Sequence, residues 1–78
     1  MTYAAGSIWQ NSEREWPRQV VSDDGTTVSY RTLVESRSGG GRYMRCAPQE
    51  MPSAGFAGWA VLERPELALV IDTWDETP

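Results

Sequence analysis

No internal staple is open to this chain. Cys46 is its only cysteine and histidine is absent, so no disulfide can form within it and zinc lacks ligands. Its 78 residues must be held by a core alone, and a chain of this size buries only about 60–65% of its unfolded surface. Such a core leaves roughly 3–5 kcal/mol of net stability. Dimerisation is the remaining supplement, and it suits a short chain with four tryptophans. Cys46 itself reads as a small core residue, since free cysteine is among the most buried types.

The clearest local signal is a hairpin. Arg18 to Ser22 reads as a strand, and Asp23-Asp24-Gly25-Thr26 supplies turn chemistry, with Gly25 free to take a positive φ. Thr27 to Val34 returns as the second strand. Its alternation sets Val28, Tyr30, Thr32 and Val34 on one face, the expected inner one, and Thr27, Ser29, Arg31 and Leu33 on the other. Ser36 to Gly41 (SRSGGG) reads as a mobile hairpin connection rather than a phosphate loop, because no lysine and no helix pattern follow it.

Arg42 to Ala47 forms a further strand, and Pro48 and Pro52 bracket a turn. Ser53 is placed to cap a short helical turn running through Phe56, Trp59 and Ala60, with Gly55 and Gly58 limiting its length. Ile8 and Trp9 form a short opening strand, and Asn11 to Glu15 a polar loop. The tail from Glu66 to Trp74 alternates as a strand would. A helix starting at Pro65 competes for Glu66 to Leu69, but Val70, Ile71 and Thr73 favour strand. Trp9, Trp16 and Trp59 are the expected aromatic core. These elements predict a mainly β fold, a small SH3-like antiparallel barrel of four or five strands with one helical turn. The barrel occupies residues 1–62, and residues 63–78 form an acidic C-terminal segment, a last strand with a frayed end.

Charge is divided along the same boundary. Residues 1–62 balance six acids with six arginines, so the net charge of −4 lies wholly in residues 63–78. A neutral body with an acidic end points to a basic partner, such as a nucleic-acid-binding protein. The partner-binding residues expected from this pattern are Asp72, Trp74, Asp75 and Glu76, joined by Glu63, Glu66 and the turn pair Asp23 and Asp24. Trp74 contributes an aromatic anchor flanked by charge, a common interface composition. Direct nucleic-acid binding through Arg31, Arg42, Arg45 and Tyr43 is disfavoured by the overall acidity.

Catalysis is poorly supplied. No histidine, lysine, nucleophile elbow or metal spacing is present. The adjacent Asp23 and Asp24 are turn formers rather than an acid–base pair. No enzyme activity and no cofactor are expected. Met1 to Gln10 lacks the basic start and apolar run of a secretory signal. The longest apolar run, Leu67 to Ile71, is far shorter than the roughly 20 residues a membrane span needs. A cytoplasmic location in a host cell is expected.

The succession GSIW (Gly6 to Trp9), RQVVSDDG (Arg18 to Gly25), VSYR (Val28 to Arg31), RYM (Arg42 to Met44) and FAGW (Phe56 to Trp59) resembles short SH3-like-barrel proteins of phages and mobile elements. The resemblance covers residues 6–60 and rests on structural residues. It implies a non-enzymatic protein-binding module, in a setting that includes anti-CRISPR inhibitors. Such a module would block the nucleic-acid path of a host complex with acidic surface. The alternative is an accessory homodimeric module of a larger assembly, docked through apolar tail contacts at Leu67, Leu69, Ile71 and Trp74.

Overall fold

The computed structural model describes residues 2–37 and 39–72. The fold is mainly β. Its elements are β1 (Ile8–Gln10), β2 (Arg18–Asp23), β3 (Thr27–Glu35), β4 (Tyr43–Arg45), β5 (Gln49–Pro52), α1 (Ser53–Trp59), β6 (Leu62–Glu63) and a 3-10 helix (Pro65–Val70). The strands pair antiparallel in the order β4-β3-β2-β1-β6, and β5 also pairs with β3. The proline-bracketed stretch is therefore a strand, with Gln49 to Pro52 opposite Tyr30 to Thr27. No helix among the described residues is long and apolar enough to cross a membrane.

The sheet does not close into the expected barrel, because β4 and β6 do not pair among the described residues. β4 has three residues and β6 two. The chain bridges the gap between them differently. After β6 it turns through the 3-10 helix and reaches β4 by one parallel bridge, Ile71 to Tyr43. There the Asp72 N–H donates to the Tyr43 carbonyl at 2.7 Å.

This helix replaces the strand expected over the tail. Pro65 sits in its first turn, where a fixed φ and a missing N–H do no harm. Leu67 and Val70, three residues apart, share one side of a 3-10 turn and pack on the same apolar cluster. Leu69 points away and is 84% exposed.

β3 organises the core. Val28 and Tyr30 are buried on one face, as the alternation predicted, but further along it is Leu33, of opposite parity, that is fully buried. Each half of the strand thus feeds a different cluster. Val28 and Tyr30 pack with Val20 and Phe56 under α1, ringed by Tyr3, Trp9, Met51 and Trp59. Leu33 packs with Ile8, Leu67 and Ile71 beneath the 3-10 helix. A bulge between Val20 and Ser22 adds one residue to β2 and leaves Val21 exposed, which increases the local twist.

The tryptophans are not the centre of this core. Trp9 and Trp59 are half-buried at its margin, and Trp16 is 50% exposed. The centre is filled by Val, Leu and Ile side chains together with Phe56 and Tyr30. Cys46 is also only half-buried, because it lies where the chain leaves β4 for β5.

The glycine-rich stretch connects β3 and β4, as expected of a hairpin connection. Gly39, Gly40 and Gly41 all have left-handed φ, at 66°, 68° and 76°, a run that other residues resist by roughly 1–2 kcal/mol each. The turn brings Ser36 and Arg42 together, with the Ser36 N–H donating to the Arg42 carbonyl at 2.9 Å. Both side chains then hold Asp72. The Ser36 hydroxyl donates to Asp72 Oδ2 at 2.6 Å, and Arg42 Nε pairs with Oδ1. Asp72 is buried, at 3% exposure.

Removing one partner of a buried charge pair leaves the other uncompensated, although the half-exposed Arg42 can recover water. Asp72→Asn should therefore lower stability by about 1–3 kcal/mol, read as a fall in the urea midpoint at neutral pH. An unchanged midpoint would show that the clamp contributes no net stability.

Candidate partner-binding surface

Among the described residues, the acids nominated by the sequence do not gather into one exposed patch. Asp72 is enclosed by Ser36 and Arg42, so its carboxylate is part of the fold and not a surface for a partner. Trp74, Asp75 and Glu76 lie outside the described residues. Glu66 accepts from Arg64 Nε at 2.7 Å, and this bond holds the Glu66 carboxyl below its usual range and raises Arg64. Arg64 also donates to the buried amide oxygen of Gln10, whose own Nε2 donates to the Glu15 carbonyl at 2.7 Å. Glu66 is thus linked into a network that ties the tail to β1.

Asp23 and Asp24 are both committed to the hairpin. Asp23 Oδ2 accepts the Tyr3 N–H at 2.8 Å, and Oδ1 accepts the Gly25 N–H and the Ser53 hydroxyl, each at 2.9 Å. Ser53 therefore does not cap α1. It is the first residue of the helix, and its hydroxyl crosses to the turn. Asp24 Oδ1 accepts the N–H groups of Thr27 and Thr26 at 2.7 and 2.8 Å. Donation from Tyr3 and then Gly25 lowers the Asp23 carboxyl, and donation from Thr27 and Thr26 lowers Asp24.

Asp23 does more than shape a turn, because Tyr3 and Ser53 are two walls of a groove. This groove, of about 320 Å³, runs between the N-terminal segment and α1. It is lined by Tyr3, Trp9, Ser7, Ser53 and Ala57, with Glu63 at its lip. Tyr3 packs edge-on against Trp9 with ring centroids 5.1 Å apart, and against Phe56 at 4.9 Å. The Trp9 indole N–H donates to the Ser7 hydroxyl at 3.1 Å, which donates in turn to the Ala4 carbonyl. Glu63 is exposed and directly opposite Trp9 in the β1–β6 pairing. Of the nominated acids, Glu63 lines this groove, and Asp23 lies behind it, bonded to its walls at Tyr3 and Ser53. Sequence reading missed its aromatic walls: Tyr3 precedes the first strand, and Trp9 reads as core.

The arginines considered for nucleic acid are drawn inward. Arg31 Nε donates to the Cys46 carbonyl at 2.5 Å, Arg45 Nε to Gln19 Oε1 at 2.6 Å, and Arg42 pairs with Asp72. Comparison with protein-family models, with curated proteins and with solved structures found no match for the chain.

The lowered carboxyls link the groove wall to pH. An acid whose folded pKa lies below its ordinary value, here 3.8, contributes stability that is complete above that value. The contribution is lost as pH falls from it through the folded pKa. Urea midpoints measured from about pH 6 down to about pH 2 should therefore drop below about pH 4. The double variant Asp23→Asn, Asp24→Asn should show a shallower drop. An identical acid slope in the variant would remove these two groups from the linkage.

Proposed function

We propose that this chain is a non-enzymatic protein-binding module for a basic partner, and that the groove of Tyr3, Trp9 and Glu63 is a contact surface for that partner. The observation carrying this reading is the exposed carboxylate of Glu63 over a groove walled by two aromatic rings. A lysine or arginine side chain complements such a surface twice. Its charge meets the carboxylate in a charge-assisted hydrogen bond, and its stem and cation lie against the rings. The net charge of −4 adds long-range steering toward a basic surface.

The finer reading follows the resemblance to phage and mobile-element proteins. The partner would be a nucleic-acid-binding complex of the host cytoplasm, such as a CRISPR effector, and occupation of its basic path would exclude nucleic acid. The antiparallel meander, with its last short strand returned to β1, supports kinship with small SH3-like barrels, here in an open form. The acidic contact would be borne by Glu63 and the exposed Asp24 rather than by Asp72.

A second reading has its own observation. Val61, Leu62 and Leu69 are exposed apolar side chains in and beside the edge strand β6. They suit an accessory homodimer or assembly module held by apolar contact. Leu67 and Ile71 are not available to it, being buried in the chain's own core.

Salt and one substitution separate the readings. Tagged protein should capture a basic partner whose recovery falls at high salt, and Glu63→Gln should weaken that capture by about tenfold. Capture indifferent to both salt and Glu63→Gln would overturn the basic-partner reading. A salt-resistant self-association lost in Leu69→Ser would favour the second.

A further inference from the structure

Beside the far end of α1 lies a second, differently charged surface. Trp16 and Trp59 flank an open cleft of about 490 Å³ whose other lining residues are Arg14, Glu15, Arg18 and Thr32. Cavities that take small ligands span about 300–1,000 Å³. Trp16 is half exposed here, and Tyr43 packs at right angles to it, with ring centroids 6.5 Å apart. That contact leaves one face of the cleft lined by the exposed indole.

The charge of the cleft is positive. The Arg18 guanidinium lies 4.1 Å from the Trp59 ring centre and 4.7 Å from that of Tyr30, and its Nη1 donates to Met51 Sδ. It is held by ring faces and sulfur and keeps its charge for a ligand. Arg14 is exposed, and among the described residues neither Arg14 nor Arg18 is paired with a carboxylate. Glu15, the one acid in the cleft, accepts the Trp59 indole N–H at 3.0 Å and so serves to fix that ring.

We propose that this cleft binds a nucleotide unit, its base stacked on Trp16 and its phosphate held by Arg14 and Arg18. A flat ring uses the exposed indole face, and the anion answers two guanidinium groups. An acidic peptide would satisfy the arginines but leave the indole uncovered. The arginines that sequence reading considered for nucleic acid are occupied within the fold, so the site falls at the loop before β2 instead. It shares no residue with the Glu63 groove.

The test is a titration of the full chain, followed by tryptophan fluorescence, with uridine monophosphate, a short oligouridylate, inorganic phosphate and a glutamate-rich peptide as separate probes. Quenching by either uridine probe, but not by phosphate or peptide, is expected. Tighter binding of the oligomer identifies the source as a strand, and equal binding identifies it as free nucleotide. Trp16→Ala should weaken binding about tenfold. Arg14→Gln, at an exposed position, should leave the urea midpoint unchanged and reduce the slope of log affinity against log salt by about one. No response to either uridine probe, equal response to phosphate or peptide, or wild-type binding by a folded Arg14→Gln variant would overturn the proposal.

Discussion

One strand serves two cores, and the rest of the molecule is arranged around that fact. β3 buries Val28 and Tyr30 on one face and Leu33 on the other. A sheet whose buried face changes along its length needs a cover on each side, because neither cluster could exclude water alone. α1 covers the first through Phe56, and the 3-10 helix covers the second through Leu67. Here the apolar residues are divided between two small clusters, each with its own short helix, and the sheet stays open among the described residues.

The open edges set the role of charge. The tail must stay over the Leu33 cluster, yet among the described residues a single bridge joins it to β4, at Ile71. Asp72 supplies the lateral hold, because its carboxylate is shared by Ser36 and Arg42 at the two ends of the glycine turn. Arg64 supplies it at the other end, through Gln10 and Glu66. Of the described tail acids, Asp72 and Glu66 are thus engaged by partners within the chain. Net charge alone does not distinguish a carboxylate that recruits a partner from one that fastens a strap, since both contribute equally to the sum. Burial and hydrogen bonding do distinguish them, and they leave Glu63 as the described tail acid facing solvent without an internal bond.

The parts of the fold that were legible in sequence are those set by local chemistry. The Asp23 to Thr26 turn with its positive-φ Gly25 follows from residues within five positions of one another. So do the hairpin strands and the short helix ending at Trp59. What was illegible depended on partners far along the chain. The alternation of β3 shows no sign that Leu33 would be buried by Ile8 and Leu67. Ser53 carries the composition of a cap, but it is the first residue of the helix and its hydroxyl donates to Asp23 instead. The groove is the extreme case. Tyr3, Trp9, Ser53 and Glu63 come from four separate parts of the sequence, and no spacing rule connects them.

The two surfaces flanking α1 are opposite in charge and alike in construction. On one side, Tyr3 and Trp9 stand beside a carboxylate. On the other, Trp16 and Trp59 stand beside two arginines. In both, a half-buried indole is fixed by a polar bond of its N–H, so little side-chain entropy remains to be lost when a ligand arrives. The two clusters are built around Val20, Val28, Tyr30 and Phe56 on one side and Ile8, Leu33, Leu67 and Ile71 on the other, with Trp9 and Trp59 packed at the margin of the first. That margin position leaves aromatic faces at the surface beside the two grooves, where the proposed contacts would use them.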